Sequence, residues 1–178
     1  MSDHGHQRLR PVAKPKALIR MTEALSVGYP PSGRDPAPAS QLVLDSLVAA
    51  EHARCLMCGP GNPIGPKLRF RVQPDGSVLA MFPCREVLRS YPETLHGGVI
   101  SALLDAAMTN ALFAIGRIGV TAELTVRFLA PVALKSEAVV HASVERDEHP
   151  LYHLRAELEQ GRKLMARASA KFVIKGDM

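Results

Sequence analysis

The stretch from His96 to Asp105 holds residue types whose spacing could do chemistry. Gly97 and Gly98 let backbone N–H groups approach a ligand closely at the start of a predicted helix. The first N–H groups of a helix lack intrahelical partners and lie at the positive end of its dipole. Asp105 follows eight residues after Gly97, among small and apolar residues. This combination predicts an oxyanion-binding helix start together with a catalytic carboxylate.

Asp105 is the only charged residue between His96 and Arg117. Apolar residues recur at helical spacing through this stretch, so the predicted helix is apolar on nearly all sides, which is typical of a buried helix. An unpaired carboxylate is costly to bury, so Asp105 should lie in a polar cleft or contact a partner. A core aspartate satisfied by hydrogen bonds is the alternative interpretation.

The elements that must position this helix follow from periodicity and turn residues. Ser40 to Ala53 predicts a short amphipathic helix with Ser40 as its N-cap, and residues 67–73 and 77–82 predict a hairpin. After the long helix, four runs read as strands that can form an antiparallel meander, over residues 120–129, 137–146, 152–159 and 164–174. We predict an α+β fold in which one antiparallel β-sheet wraps around one long central helix. The absence of βαβ alternation excludes a Rossmann-type sheet.

Composition divides the chain of 178 residues, which carries a net charge of +5, into two parts. Residues 1–38 are basic and rich in proline, and predict a flexible arm, whereas residues 39–178 predict the folded domain. With 4% aromatic residues and no Trp, the chain has few platforms for stacking nucleic acid, so we expect no nucleic-acid partner. A small phosphate-bearing ligand fits the charge better, and a basic solvated surface is the alternative. No stretch approaches a transmembrane helix and no signal peptide is apparent, so we expect no membrane partner and a cytoplasmic protein.

Three cysteines, Cys55, Cys58 and Cys84, argue against a disulfide framework because their number is odd. Cys55 and Cys58 form half of a zinc-type motif, which Cys84 and a distant histidine would have to complete. Redox chemistry would require a βαβ context that the chain lacks. We favour a packed turn here and predict no bound metal.

The His96-Gly97-Gly98 motif, the Leu103-Leu104-Asp105 motif, the strand from Gly119 to Pro131 and the Cys55–Pro63 loop occur in a characteristic order. This pattern, from about Leu42 to Lys175, resembles the hotdog-fold acyl-CoA thioesterases of the phenylacetyl-CoA thioesterase (PaaI-like) group. The resemblance implies a hydrolase in which the Gly97 N–H binds the thioester carbonyl. It further implies that Asp105 is general base or nucleophile and that Thr121 positions the water. It also implies a homodimer that pairs into a tetramer, and no cofactor, because coenzyme A is part of the substrate.

Ser90 departs from the family pattern, since several members have Asn six residues before the histidine, where it contacts the attacking water or the carbonyl. A hydroxyl can do part of that work. The departure keeps open an alternative function, a non-catalytic hotdog module that binds or senses acyl-CoA. We expect His96 to fix the turn, with capping and proton transfer both open, and Gly98 to add a second N–H to the oxyanion site.

Coenzyme A carries phosphates, which require basic side chains at the mouth of the site. The candidates are Arg127, Lys135, Arg155, Arg162 and Lys163, with surface solvation as the alternative for each.

A second expectation concerns helix geometry. Eight residues rise about 12 Å along a helix, which is too far for Gly97 and Asp105 of one chain to act on one carbon. We therefore predict an active site shared between two chains of a twofold dimer.

Overall fold

The computed structural model describes residues 38–174. Apart from Pro38, the predicted arm over residues 1–38 lies outside this range. The elements, in chain order, are α1 (Gln41–Glu51), β1 (Arg71–Val72), β2 (Val78–Pro83), a short 3₁₀ helix (Glu86–Leu88), α2 (Gly97–Ala114), β3 (Gly119–Phe128), β4 (Glu137–Glu148), β5 (Leu151–Gln160) and β6 (Lys163–Ile174).

Helix α1 begins where the sequence predicts it, because the Ser40 side chain accepts a hydrogen bond from the Val43 N–H at 3.5 Å. Its buried residues Leu44 and Val48 belong to the same hydrophobic core as α2. Helix α2 ends at Ala114, and Gly116, whose φ of +75° favours glycine, turns the chain just after it.

Helix α2 is long and apolar enough to cross a membrane by length and composition alone. The expectation that no stretch approaches such a helix is therefore wrong on those two criteria. In the fold, however, 67% of the helix is buried inside the protein, as in the core helix of a globular domain.

The six strands form one antiparallel sheet in the order β1-β2-β4-β5-β6-β3. The predicted four-strand meander is wrong for β3, although β4, β5 and β6 follow it. Because β2 pairs with β4, the edge next to β4 is occupied, and β3 pairs with β6 at the opposite edge. Strand β3 thus becomes an edge strand immediately after α2.

The first strand of the predicted hairpin is shorter than expected, with two residues instead of seven. The Leu68 N–H donates to the Met57 carbonyl, and the Gln41 side chain bonds the Phe70 carbonyl and the Val72 N–H. These partners draw the segment onto α1 and the preceding loop, so that it cannot continue the sheet.

The inner face of the sheet packs against α2, twelve of whose 18 residues are buried. The largest fully buried side chains come from both, and include Phe82, Leu154, Leu158 and Phe172 from the strands and Leu103, Leu104, Met108, Leu112 and Phe113 from the helix. One antiparallel sheet around one long apolar helix confirms the predicted α+β fold.

Candidate active site

The N-terminus of α2 offers one free backbone donor. His96 is the N-cap, and its Nδ1 accepts a hydrogen bond from the Gly98 N–H at 2.9 Å. The Gly98 N–H, predicted as a second oxyanion donor, is therefore engaged within the chain in this arrangement. The Gly97 N–H has no hydrogen-bond partner among residues 38–174. The histidine thus caps the helix, and Gly97 holds the donor available to a ligand.

The entry segment fixes the direction of that donor. The His96 N–H donates to the Leu88 carbonyl and the Leu95 N–H to the Val132 carbonyl, each at 2.9 Å. Ser90 lies in the turn just before this segment, with an exposed side chain that has no hydrogen bond to the described residues. Ser90 is thus six residues before the N-cap of α2 in the sequence, and its hydroxyl makes no hydrogen bond to Asp105.

Asp105 is partly buried and has a specific partner on the neighbouring strand. The Thr121 Oγ1 donates to the Asp105 Oδ1 at 2.6 Å. Asp105 Oδ2 has no hydrogen-bond partner within the described part of the chain. One carboxylate oxygen is therefore oriented by the hydroxyl, and the other remains able to accept a proton.

A bulge and a close approach position Thr121 over the helix. Thr121 and Glu123 pair with consecutive residues of β6, which leaves Ala122 as an extra residue in β3. A bulge of this kind re-aims the side chains beside it. A Cβ at Gly119 would lie 2.9 Å from the Leu112 Cδ2 and 2.9 Å from a β6 carbonyl oxygen. Only glycine allows β3 to begin this close to α2, and so Thr121 reaches Asp105.

Gly97 and Asp105 lie on the same continuous helix, as the sequence predicts. Their eight-residue spacing corresponds to about 12 Å along the helix axis. The structure thus brings Thr121 to Asp105 and leaves the Gly97 donor at a different level of the same helix. One chain alone does not bring all three groups around one reacting atom.

Arg127 and Arg155 lie on the outer face of the sheet, opposite α2. Arg127 precedes Phe128, whose ring lies on the α2 side beside Gly97, and Arg155 stands between two buried residues. Both line a groove of about 330 Å³ together with Arg167 and Glu145. Arg155 lies 3.6 Å from the Glu145 carboxylate. These two candidates therefore face away from Asp105.

Of the three other basic candidates, Lys135 and Arg162 lie in loops and Lys163 begins β6, all at the sheet end nearest the start of α2. Lys135 forms an ion pair with Glu86 at 2.8 Å. Arg162 and Lys163 follow Gln160, whose side chain bonds both backbone groups of Ala133. Ala133 in turn bridges to Thr94, two residues before the N-cap of α2. The five predicted phosphate contacts are thus not brought into one cluster.

The cysteines are arranged differently from the expectation. Cys84 lies at the end of β2 and contacts Gln160 at 3.8 Å, and burial raises the pKa of its thiol to about 11. The third group near Cys55 and Cys58 is His52, whose Nδ1 lies 3.5 Å from the Cys58 Sγ. Sequence reasoning missed His52, although the spacing His-x2-Cys-x2-Cys was available as a signal. Burial, with a smaller effect of Cys55, raises the pKa of the Cys58 thiol to about 12.

Comparison with known proteins identifies relatives of this arrangement. Residues 93–166, which include α2 and β3, match the sequence model of the thioesterase superfamily. A search of curated protein sequences finds no significant match.

Solved structures share the fold at low sequence identity. A thioesterase superfamily protein is 23% identical with a TM-score of 0.63, over 66% of this chain and 58% of its own. This chain therefore spans less than two thirds of that protein's length. A conserved protein from Pseudomonas aeruginosa is 26% identical with a TM-score of 0.56, over 62% of this chain and 90% of its own. A Streptococcus mutans protein bound to acetyl-CoA is 16% identical with a TM-score of 0.58, over 61% of this chain and 89% of its own.

Proposed function

We propose that this chain is a thioesterase that hydrolyses acyl-CoA thioesters to the free acid and coenzyme A, because residues 93–166 match the thioesterase superfamily and the chain has the hotdog fold. The observation that carries the proposal is the 2.6 Å hydrogen bond from the Thr121 hydroxyl to the Asp105 carboxylate. The same helix begins at Gly97, whose N–H has no hydrogen-bond partner within the described residues. The acetyl-CoA bound to the Streptococcus mutans protein supports the substrate class.

Each group has a step in the proposed reaction. The Asp105 carboxylate takes a proton from a water molecule while the water oxygen attacks the thioester carbon. The Thr121 hydroxyl, which donates to Asp105, keeps lone pairs that accept a hydrogen bond from the same water. The Gly97 N–H stabilises the oxyanion, and the C–S bond then breaks. The departing thiolate receives the proton from Asp105, which leaves a carboxylic acid and the thiol of coenzyme A. Direct attack by Asp105 through an anhydride is the alternative that the same residues allow.

We further propose that two chains form each site, because about 12 Å of helix separates Gly97 from Asp105 while reacting groups must come within about 3–3.5 Å. Two α2 helices laid antiparallel about a twofold axis would place each Gly97 beside the partner's Asp105.

Strand β3 supports this assembly, since it is a ten-residue edge strand with little of its surface covered. Large apolar side chains are exposed on it and just after it: Val120 (42%), Leu124 (36%), Phe128 (53%) and Leu129 (47%). A long apolar edge is a template for pairing with another strand. We propose that β3 pairs with β3 of a second copy. Pairing of two such dimers into a tetramer is a further expectation.

Arg162 and Lys163 are the basic residues that we propose for the phosphates of coenzyme A. They are exposed at the β5–β6 turn, near the start of α2, and no ion pair engages either one within the described chain. Two substrates with the same acyl group separate this role from catalysis: acyl-CoA, and acyl-N-acetylcysteamine, which lacks the phosphates. Arg162→Ala should raise KM for acyl-CoA and leave the N-acetylcysteamine thioester unaffected.

The direct test measures thiol release from a panel of short, medium and aromatic acyl-CoA thioesters. Asp105→Asn should lower kcat by about 10²- to 10⁴-fold, because it removes the proton acceptor with little change in shape. Asp45→Asn is the matched control, since Asp45 is an exposed acid on α1. No thiol release by the wild-type protein across the panel refutes the proposal. If calorimetry then shows tight acyl-CoA binding, the protein is instead a module that binds acyl-CoA without turning it over.

A further inference from the structure

Three side chains with metal-binding atoms converge in the loop after α1, and the proposed reaction uses none of them. They are His52, Cys55 and Cys58, and their ligand atoms all lie within 4.8 Å of one another. The Cys58 sulfur lies 3.5 Å from the His52 Nδ1. All three belong to one short segment, so the chain needs no long-range folding event to bring them together. We call them the His-Cys-Cys cluster.

The spacing within the cluster fits a tetrahedral metal ion. With Zn–S of about 2.3 Å and Zn–N of about 2.05 Å, tetrahedral angles place a sulfur and a nitrogen ligand about 3.5 Å apart and two sulfur ligands about 3.8 Å apart. The observed separation between Cys58 and His52 agrees with the first value. The Cys55 side chain lies within hydrogen-bonding reach of Cys58, so the third ligand atom is also close to the other two.

The loop that carries the cluster is held by its own hydrogen bonds. The Asn62 side chain donates to the Arg54 carbonyl at 3.1 Å and accepts from the N–H groups of Ile64 and Gly65. A Cβ on Gly59 would lie 2.4 Å from the Cys55 backbone nitrogen, so the turn is closed as tightly as backbone allows. Preorganised ligands lose little freedom on binding a metal.

Side chains from α2 pack around the cluster. The His52 ring lies edge-on to Phe113 with centroids 4.8 Å apart, which limits its rotation. Asn110 is 1% exposed, its side chain is within hydrogen-bonding reach of Cys58, and its Oδ1 has no partner in the described part of the chain. A buried oxygen without a partner is rare and calls for an explanation. A cation, or a water molecule bound to one, would satisfy it.

We propose that His52, Cys55 and Cys58 bind one Zn²⁺ ion, with the fourth position taken by water or by the Asn110 Oδ1. Binding releases the two thiol protons to solvent, and the two thiolates neutralise the charge of the ion. A neutral site suits this half-buried position, whereas an uncompensated charge would not. A Cys55–Cys58 disulfide, the alternative, would use only two of the three groups.

The test titrates the full-length protein, reduced and stripped of metal with a chelator, with Co²⁺ and then with Zn²⁺. We expect one equivalent of Co²⁺ to produce thiolate charge-transfer absorption and the intense visible bands of tetrahedral cobalt, and Zn²⁺ to displace it. Cys55→Ser and His52→Gln should each lower the affinity for Zn²⁺ by more than about 100-fold. Loss of a residue that only contacts a ligand lowers metal affinity by about 10- to 100-fold. Cys84→Ser, which removes a buried thiol elsewhere, should bind like the wild-type protein.

Circular dichroism of each variant separates loss of a ligand from loss of the fold, and His52 and Cys55 are chosen because they are less buried than Cys58. Absence of a saturable cobalt spectrum in the folded, reduced wild-type protein overturns the proposal. A folded His52→Gln variant with wild-type affinity also overturns it, because the histidine would then not be a ligand. A count of one free thiol in protein purified without reductant would assign a Cys55–Cys58 disulfide instead.

Discussion

Mixing two inactive variants tests whether the active site is shared between chains. Asp105→Ala removes the proposed base, and Gly97→Pro removes the only free backbone donor that the described chain has at the start of α2. Proline is well tolerated at the first helical position, and His96 before it has φ −65° and ψ 132°, the extended conformation that a residue before proline prefers. The second variant should therefore lose the donor and keep the fold.

The expected activity follows from the geometry. Eight residues of helix place Gly97 about 12 Å from Asp105, so each site must take one group from each chain. In a mixed dimer one site then inherits both defects and the other neither. If the two variants associate randomly at equal concentration, about half of the dimers are mixed, and specific activity should return to about one quarter of the wild-type value.

The assay measures thiol release from an acyl-CoA after co-refolding. Mixed dimers isolated by two affinity tags have one intact site of two, so their specific activity should be about one half of the wild-type value. Each variant refolded alone should be inactive. Gly97→Ala is the matched control, because it keeps the N–H and its Cβ would meet only the Phe128 ring at an ordinary 3.6 Å. Inactive preparations that contain confirmed mixed dimers would refute the shared site.

Three further predictions concern the elements around the site. Thr121→Val removes the 2.6 Å hydrogen bond to Asp105. It should lower kcat for thiol release by about 10- to 100-fold, which corresponds to the free energy of a hydrogen bond to a charged group. Thr121→Ser keeps the hydroxyl and should retain most of the activity. Gly119→Ala should destabilise the fold by about 1–3 kcal/mol in urea unfolding, because its Cβ would meet Leu112 at 2.9 Å. An unchanged midpoint would show that β3 does not need this close approach. Leu124→Lys on the exposed edge strand should shift the protein to monomers in light scattering and abolish thiol release together; active monomers would contradict the β3 interface.

Local sequence patterns by themselves determined where most helices and strands of this protein lie. The Ser40 cap, the apolar helix from Gly97 and the long strands β3, β4, β5 and β6 depend on neighbours within a few residues, and the structure has them close to their predicted places. The same reasoning put Gly97 and Asp105 on one helix, so their separation also followed from sequence spacing and the rise of a helix.

Tertiary structure decided which groups meet. Strand β3 pairs with β6 because β2 already pairs with β4, a competition between distant segments that alternation of side chains does not report. The Gly98 N–H is used by the His96 ring, and that rotamer choice is not visible in the spacing of the motif. His52 joins Cys55 and Cys58 because α1 ends and the loop turns back on itself. Distances across such turns depend on packing and hydrogen bonds beyond the local sequence, so only the structure shows them.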